Sequence, residues 1–214
     1  MEYKLMNTAI VVLSEGNNPK LLNHDFLSHN GIVPEDWEMQ DLLVTSPFSR
    51  LTYKNGVELI VEINKLQIKV TNPEALPWHA ELPKIATRYL QVLPHVHYAG
   101  VGINFTFVAR SYPQDPFASL LQDGDWLRAH DGLSSAAIEL HFKNKKPWLN
   151  VKIEQHSDPG RGSDAKADLV LVANYHHEFA PHEEQERAAF ISQAGELKER
   201  FLTFSQNLPF ENKV

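Results

Sequence analysis

The sequence predicts an α+β protein whose largely antiparallel sheet is covered by two long amphipathic helices. Three observations carry this. Stretches alternating between apolar and polar residues recur in both halves of the chain, as strands with one buried face require. Turn signals separate them, the clearest being Asn55-Gly56, where both residues tolerate a positive φ. Two segments then switch to helical period. Leu82, Ile85, Ala86, Tyr89, Leu90 and Leu93 form one stripe, and Phe190, Ala194, Leu197, Phe201, Phe204 and Leu208 form the other.

Taken in order, residues 3–14 read as a strand rich in β-branched Ile10, Val11 and Val12, closed by Gly16-Asn17-Asn18-Pro19. Residues 20–37 hold one short helix around Leu21, Leu22, Phe26 and Leu27. Strands follow at 38–44 and 50–54. After Asn55-Gly56, Val57, Leu59, Val61 and Ile63 share one face, with Glu58 and Glu62 opposite. Asn64-Lys65 makes the next turn, and Leu66, Ile68 and Val70 point inward from a further strand. The first long helix runs near Leu82–Leu93, with Pro77 or Pro83 in its first turn and Pro94 at its end.

The second half opens on a long strand, 100–111, with Val101, Ile103, Phe105, Phe107 and Ala109 on one face. A Pro-containing breaker, 112–116, and a short helix over 117–121 follow. Residues 137–142 and 148–155 pair as a hairpin across Lys143–Pro147; 157–166 is a mobile loop and 168–175 a strand. The last helix spans Pro181–Asn207, with Glu183, Glu184 and Glu186 at its start and Lys198 and Arg200 toward its end, as the macrodipole favours.

The two halves repeat this order at an offset of about 97 residues, longer than solenoid repeats. The chain therefore reads as a single domain, 1–214, that admits an internal duplication into halves 1–99 and 100–214. The long strands 3–14 and 100–111 carry few charges and read as buried on both faces, so they are expected to pair with each other at the sheet centre.

Composition excludes several function classes. With no Cys among 214 residues, disulfide scaffolds, Cys-ligated zinc, Fe–S clusters and thiol catalysis are ruled out. The net charge of −7 is spread over both halves and argues against nonspecific nucleic-acid binding, which needs clustered Lys and Arg. The densest basic group, Lys143, Lys145 and Lys146 with Lys152 nearby, reads as a solvated hairpin tip. The N-terminus resembles no targeting signal and no apolar run reaches transmembrane length, so no membrane partner and a cytoplasmic location are expected.

Eleven His make metal chemistry the alternative to weigh. The sharpest run is Tyr175-His176-His177-Glu178-Phe179-Ala180-Pro181-His182-Glu183-Glu184. His176 and His177 point to opposite faces of a strand, and His182 follows Pro181, so the run lacks the spacing that puts two ligands on one helical face. His95 and His97 share a face if extended, but no third ligand is evident. His141 and His156 do not fall opposite each other in the hairpin. Asp123-Gly124-Asp125 lacks the rest of a calcium loop. Gly100-Val101-Gly102 opens a strand, not a helix. Ser134-Ser135 has no base nearby, and Gly160-Arg161-Gly162 sits in a flexible stretch. No catalytic, cofactor or metal residue is assigned. Trp37, Trp78, Trp126 and Trp148 stand near element ends, and one of the four is expected to anchor an interface.

The element order is similar to that of a family of uncharacterised, sporadically distributed bacterial proteins. There a strand like Leu66-Gln67-Ile68-Lys69-Val70 leads into a helix, a strand comparable to 98–107 follows, and a late strand passes into a C-terminal helix with aromatics like Phe201 and Phe204. Where that family shows a Gly-Leu-Arg-Tyr-Asn type signature, this chain has Gly100-Val101-Gly102-Ile103-Asn104. The resemblance implies no activity and no catalytic residues.

The expected function is a non-enzymatic protein-interaction module, of bacterial or phage origin, with an unknown protein partner, present as monomer or homodimer. The alternative is a small-molecule or metal-dependent enzyme using the His176–Glu184 region with His95 or His97.

Overall fold

Alternation decides which side of each strand is buried. In the computed structural model, which describes residues 3–112, 135–156 and 167–208, strand β1 (Lys4–Glu15) buries Ile10 and Val12 on one face and leaves Leu13 41% exposed on the other. Alternating burial also organises β3 (Phe48–Tyr53), β4 (Val57–Glu62) and β5 (Lys65–Val70); β2 (Met39–Val44) is exposed along its whole length, and β6 (His97–Tyr112), β7 (Ser135–Phe142), β8 (Trp148–His156) and β9 (Ala167–Glu178) complete the sheet. The nine strands form one sheet in the order β2-β3-β4-β5-β1-β6-β9-β8-β7, antiparallel at every pairing.

β1 and β6 pair at the middle of the sheet, with Ile10 opposite Ile103 and Val12 opposite Val101. β5 flanks the outer side of β1 and β9 that of β6. Neither long apolar strand meets an edge, which answers the exposure problem such strands pose.

Four helices join them among the described residues: α1 (His24–His29), α2 (Trp78–Val92), α3 (Glu184–Ser192) and α4 (Ala194–Ser205). All lie against one face. Trp78 meets Phe105 edge-on at 5.9 Å, Phe201 stacks on Phe107 at 5.4 Å, Phe190 meets His177 at 5.5 Å, and Phe26 of α1 meets Tyr89 of α2 at 6.5 Å. Between the layers lie Leu59, Leu66, Ile68, Ile85, Ala86, Ile103, Leu171 and Leu197, each essentially inaccessible to water. Burying such side chains stabilises by about 1.5–3 kcal/mol each and drives the assembly.

Several expected features differ. The helix expected over Pro181–Asn207 is two helices. At Gln193 (φ −78°, ψ 3°) the chain tightens, its N–H bonding to Phe190 three residues back, and Gly195 then brings α4 close to His79 of α2. The buried stripe continues through the break, from Phe190 and Ile191 to Ala194, Leu197 and Phe201. One long helix, α2, therefore covers the sheet with a broken pair instead of a second long one. Pro77 caps α2, and Pro83 sits inside it, not in its first turn.

The β4–β5 turn is Ile63-Asn64, not Asn64-Lys65. Glu62 pairs with Lys65, so Ile63 leaves the row of Val57, Leu59 and Val61 and is 55% exposed. The end of β1 holds this turn: Ser14 N–H donates to Asn64 O at 3.0 Å, and buried Asn17 donates through Nδ2 to Ser14 Oγ at 2.6 Å and to Glu62 O at 3.1 Å. β6 begins at His97 and β9 continues to Glu178, both longer than expected. The 117–121 helix, the 157–166 loop and Trp126 lie outside the described residues.

Candidate functional site

Because β9 continues through Glu178, strand geometry separates its two histidines. His176 lies on the face opposite the described helices, beside Trp148 (ring centroids 6.0 Å apart). Gly100 makes room for it: a Cβ there would stand 3.3 Å from His176 Cε1. His177 turns to the helix side, stacked on Phe179 at 4.3 Å. His182 is exposed in the turn before α3, while the Glu183 carboxylate accepts a 2.8 Å hydrogen bond from the Ala180 N–H across that turn. The run therefore does not converge. Among the described residues no group of three or more His, Asp and Glu is placed to hold a metal.

Burial lowers the His177 pKa below the usual imidazole value; the charges of Lys146 and His176 act the same way, and Glu183 and Glu178 oppose them. The folded chain then binds fewer protons at this ring than the unfolded chain. The ring's contribution is full above about pH 6.5 and is lost as pH falls from there toward the lowered folded value. Wild type is expected to lose more stability between pH 7.5 and pH 5 than His177→Phe. Urea unfolding at the two pH values measures it, and equal losses would contradict the argument.

The sheet face opposite the described helices carries a polar row that sequence reading missed. Asn104, Asn174, Asn150 and His141 are successive partners across β6, β9, β8 and β7. Asn174 Nδ2 donates to Asn104 Oδ1 at 2.6 Å, Asn150 Nδ2 donates to Asn174 Oδ1 at 3.3 Å, and His141 Nδ1 lies 2.7 Å from Asn150 Oδ1. Gly102 leaves the space this needs, since its Cβ would stand 3.0 Å from Asn174 Nδ2. The side chains satisfy one another, so the row reads as a sheet-stabilising ladder. Only register reveals it. Two residues before Asn150 in β8, Trp148 has the ammonium groups of Lys143 and Lys146 5.7 and 6.0 Å from its ring centre. Of the other tryptophans described, Trp78 is buried and Trp37 packs on Tyr53. As expected, His141 and His156 are not opposite: their partners are Asn150 and Ser135.

A cavity of about 510 Å³ opens between the end of α2, the chain entering β6 and the start of α3. Leu90, Pro94, Val96, Ala188 and Ile191 supply apolar wall, and exposed His95, His97 and Glu184 stand around it. The tertiary structure thus brings His95 and His97 near the start of α3, but leaves His176 and His182 elsewhere. Within the wall sits Arg187, 4% exposed. Its Nη1 donates to the Tyr98 carbonyl oxygen at 2.8 Å, and its guanidinium carbon lies 5.5 Å from the Tyr98 ring centre. Burial pushes the Tyr98 phenol well above its ordinary pKa, against the pull of the Arg187 charge. A sequence signal existed, because Arg187 continues the stripe of Phe190, Ile191 and Ala194.

The sheet edge at β2 is the other unusual surface. All six of its residues are exposed, and Met39, Leu42, Leu43 and Val44 are 40–47% accessible. Its one charge, Asp41, is bound by Arg50 Nη2 of β3 at 2.7 Å. Asp123–Asp125, Ser134 and Gly160–Gly162 lie outside the described residues.

The fold is that of an α+β protein with one nine-stranded antiparallel sheet whose described helices lie on one face, and no described helix is long and apolar enough to cross a membrane. Compared with models of known protein families and with curated proteins, the chain finds no match.

Proposed function

We propose that this protein is a non-enzymatic cytoplasmic interaction module that takes an extended, apolar segment of a partner protein as a tenth strand beside β2. The observation carrying this is the β2 edge. Its outward N–H and C=O groups face no strand among the described residues, and Met39, Leu42, Leu43 and Val44 present apolar surface on both of its faces. Natural edges are usually guarded by Lys, Pro or inward charge, whereas the only charge here is paired within the sheet. Strand addition uses main-chain bonds for affinity and alternate side chains for specificity. The net charge of −7 favours a segment with basic flanks and supports the exclusion of nonspecific nucleic-acid binding.

The same reading treats the chain as one domain built from two copies of a unit, 1–99 and 100–214, related to the sporadically distributed bacterial family named above. In support, the strands read outward from the β1–β6 pair as β5, β4, β3 and β2 on one side and as β9, β8 and β7 on the other.

Selection from a displayed library of twelve-residue peptides is expected to yield extended apolar sequences that slow amide exchange across Met39–Val44. The double variant Leu42→Lys, Leu43→Lys should weaken them at least tenfold while leaving the fold intact, since exposed substitutions rarely cost more than about 0.5 kcal/mol. Peptides that protect another segment would overturn the reading. So would a homodimer of the chain alone, by light scattering, that the double variant disperses, because the occupant would then be a second copy.

A further inference from the structure

We infer that the cavity between the end of α2 and the start of α3 binds a small organic carboxylate, whose charge meets Arg187 and whose apolar body lies beside Leu90, Val96 and Ile191. Three features converge. The volume, about 510 Å³, falls within the range of small-molecule sites, and its wall combines the apolar side chains of Leu90, Pro94, Val96, Ala188 and Ile191 with polar groups that include Arg187. Arg187 carries a permanent positive charge yet is 4% exposed, and among the described residues no carboxylate lies within salt-bridge distance of it. Its one side-chain hydrogen bond among those residues is to the Tyr98 carbonyl, which uses one of five guanidinium N–H donors and neutralises no charge. The Tyr98 ring compensates in part. A buried ion left without a counterion is costly, and an anion entering the cavity would remove that cost.

The lining also selects the anion. Among the described residues Arg187 is the only Lys or Arg in the wall, and Glu184 stands at the rim, so a dianion would be poorly matched. A planar monoanion fits a single guanidinium, which favours carboxylates through paired N–H···O contacts. The site lies on the helix side of the sheet, away from β2, so its test is independent of strand addition.

The full chain is titrated by calorimetry with sodium hexanoate and sodium benzoate, with hexanamide and benzamide as uncharged counterparts, and with inorganic phosphate. At least one carboxylate is expected to saturate at millimolar concentration, with its amide at least tenfold weaker and phosphate not binding. Arg187→Met should lower carboxylate affinity at least tenfold and leave the amide unchanged. Ala188→Trp, which fills the cavity, should abolish both, and it decides the matter if Arg187→Met does not fold. No saturation by either carboxylate, amides binding as well as acids, phosphate binding in their place, or carboxylate binding that survives Ala188→Trp would each overturn the inference.

Discussion

Phe107→Ala is expected to destabilise the protein by about 3–5 kcal/mol, the range for removing a buried aromatic ring from a core that cannot fully collapse. Phe107 is 1% exposed and sits in β6 at the sheet centre. Its ring stacks on Phe201 of α4 at 5.4 Å and lies 6.3 Å from Phe105, which in turn meets Trp78 of α2 and Tyr175 of β9. One side chain thus joins the sheet to α4 and, through Phe105, to α2. The loss is large because α4 has only modest helical stability of its own; short helices hold mainly through the face they bury. Urea unfolding of wild type and variant measures the difference as a shift in midpoint with little change in slope. A loss below about 1 kcal/mol would mean that the aromatic layer relaxes around the gap, contrary to the close packing assigned to it.

Residues 1–99 expressed alone are expected not to fold, and the intact chain is expected to unfold in a single transition. Cutting the chain after residue 99 removes all but the first three residues of β6 and strips β1 of most of its longest partner, leaving the outward groups of Lys4–Leu13 unpaired. It also removes Phe105 from Trp78 and the α3–α4 pair from its packing against α2. The surface exposed on both sides of the cut belongs to the centre of the core, so the two halves should behave as one cooperative unit. Circular dichroism and amide exchange of the fragment test this directly. A protected, cooperatively unfolding 1–99 fragment would show that the sheet is two domains meeting edge to edge. Limited proteolysis of the full chain gives the same answer if cleavage near Pro94–Tyr98 releases two folded halves.

Much of the architecture was legible in local pattern. Val57, Leu59 and Val61, then Leu66, Ile68 and Val70, alternate because a strand over one core must, and Asn55-Gly56 marked the turn between β3 and β4, where Gly56 adopts φ 86°. Val101, Ile103, Phe105, Phe107 and Ala109 read correctly as one buried face, and Leu82, Ile85, Ala86 and Tyr89 as another. These signals are periodic and local, so sequence carries them whatever the rest of the chain does. The exposed β2 edge and the cavity were not legible in that way. β2 could be recognised as a strand, but its place at the sheet edge follows from which strand pairs with which.

What the sequence determined by itself was therefore the set of elements, their buried faces, the absence of Cys chemistry and the geometric dispersal of the 176–184 histidine run. Tertiary structure decided the rest. It split the last helix at Gln193, whose N–H turns to the Phe190 carbonyl three residues back although the buried stripe runs on. It moved the β4–β5 turn to Ile63-Asn64, where pairing of Glu62 with Lys65 and capture of the turn by Ser14 and Asn17 outweighed burial of one isoleucine. It aligned four side chains from four strands into the Asn104–His141 row, and it buried Arg187 beside Tyr98, 89 residues away in sequence. Each outcome rests on contacts between segments far apart along the chain, whose energies depend on register and packing; local periodicity carries no record of either.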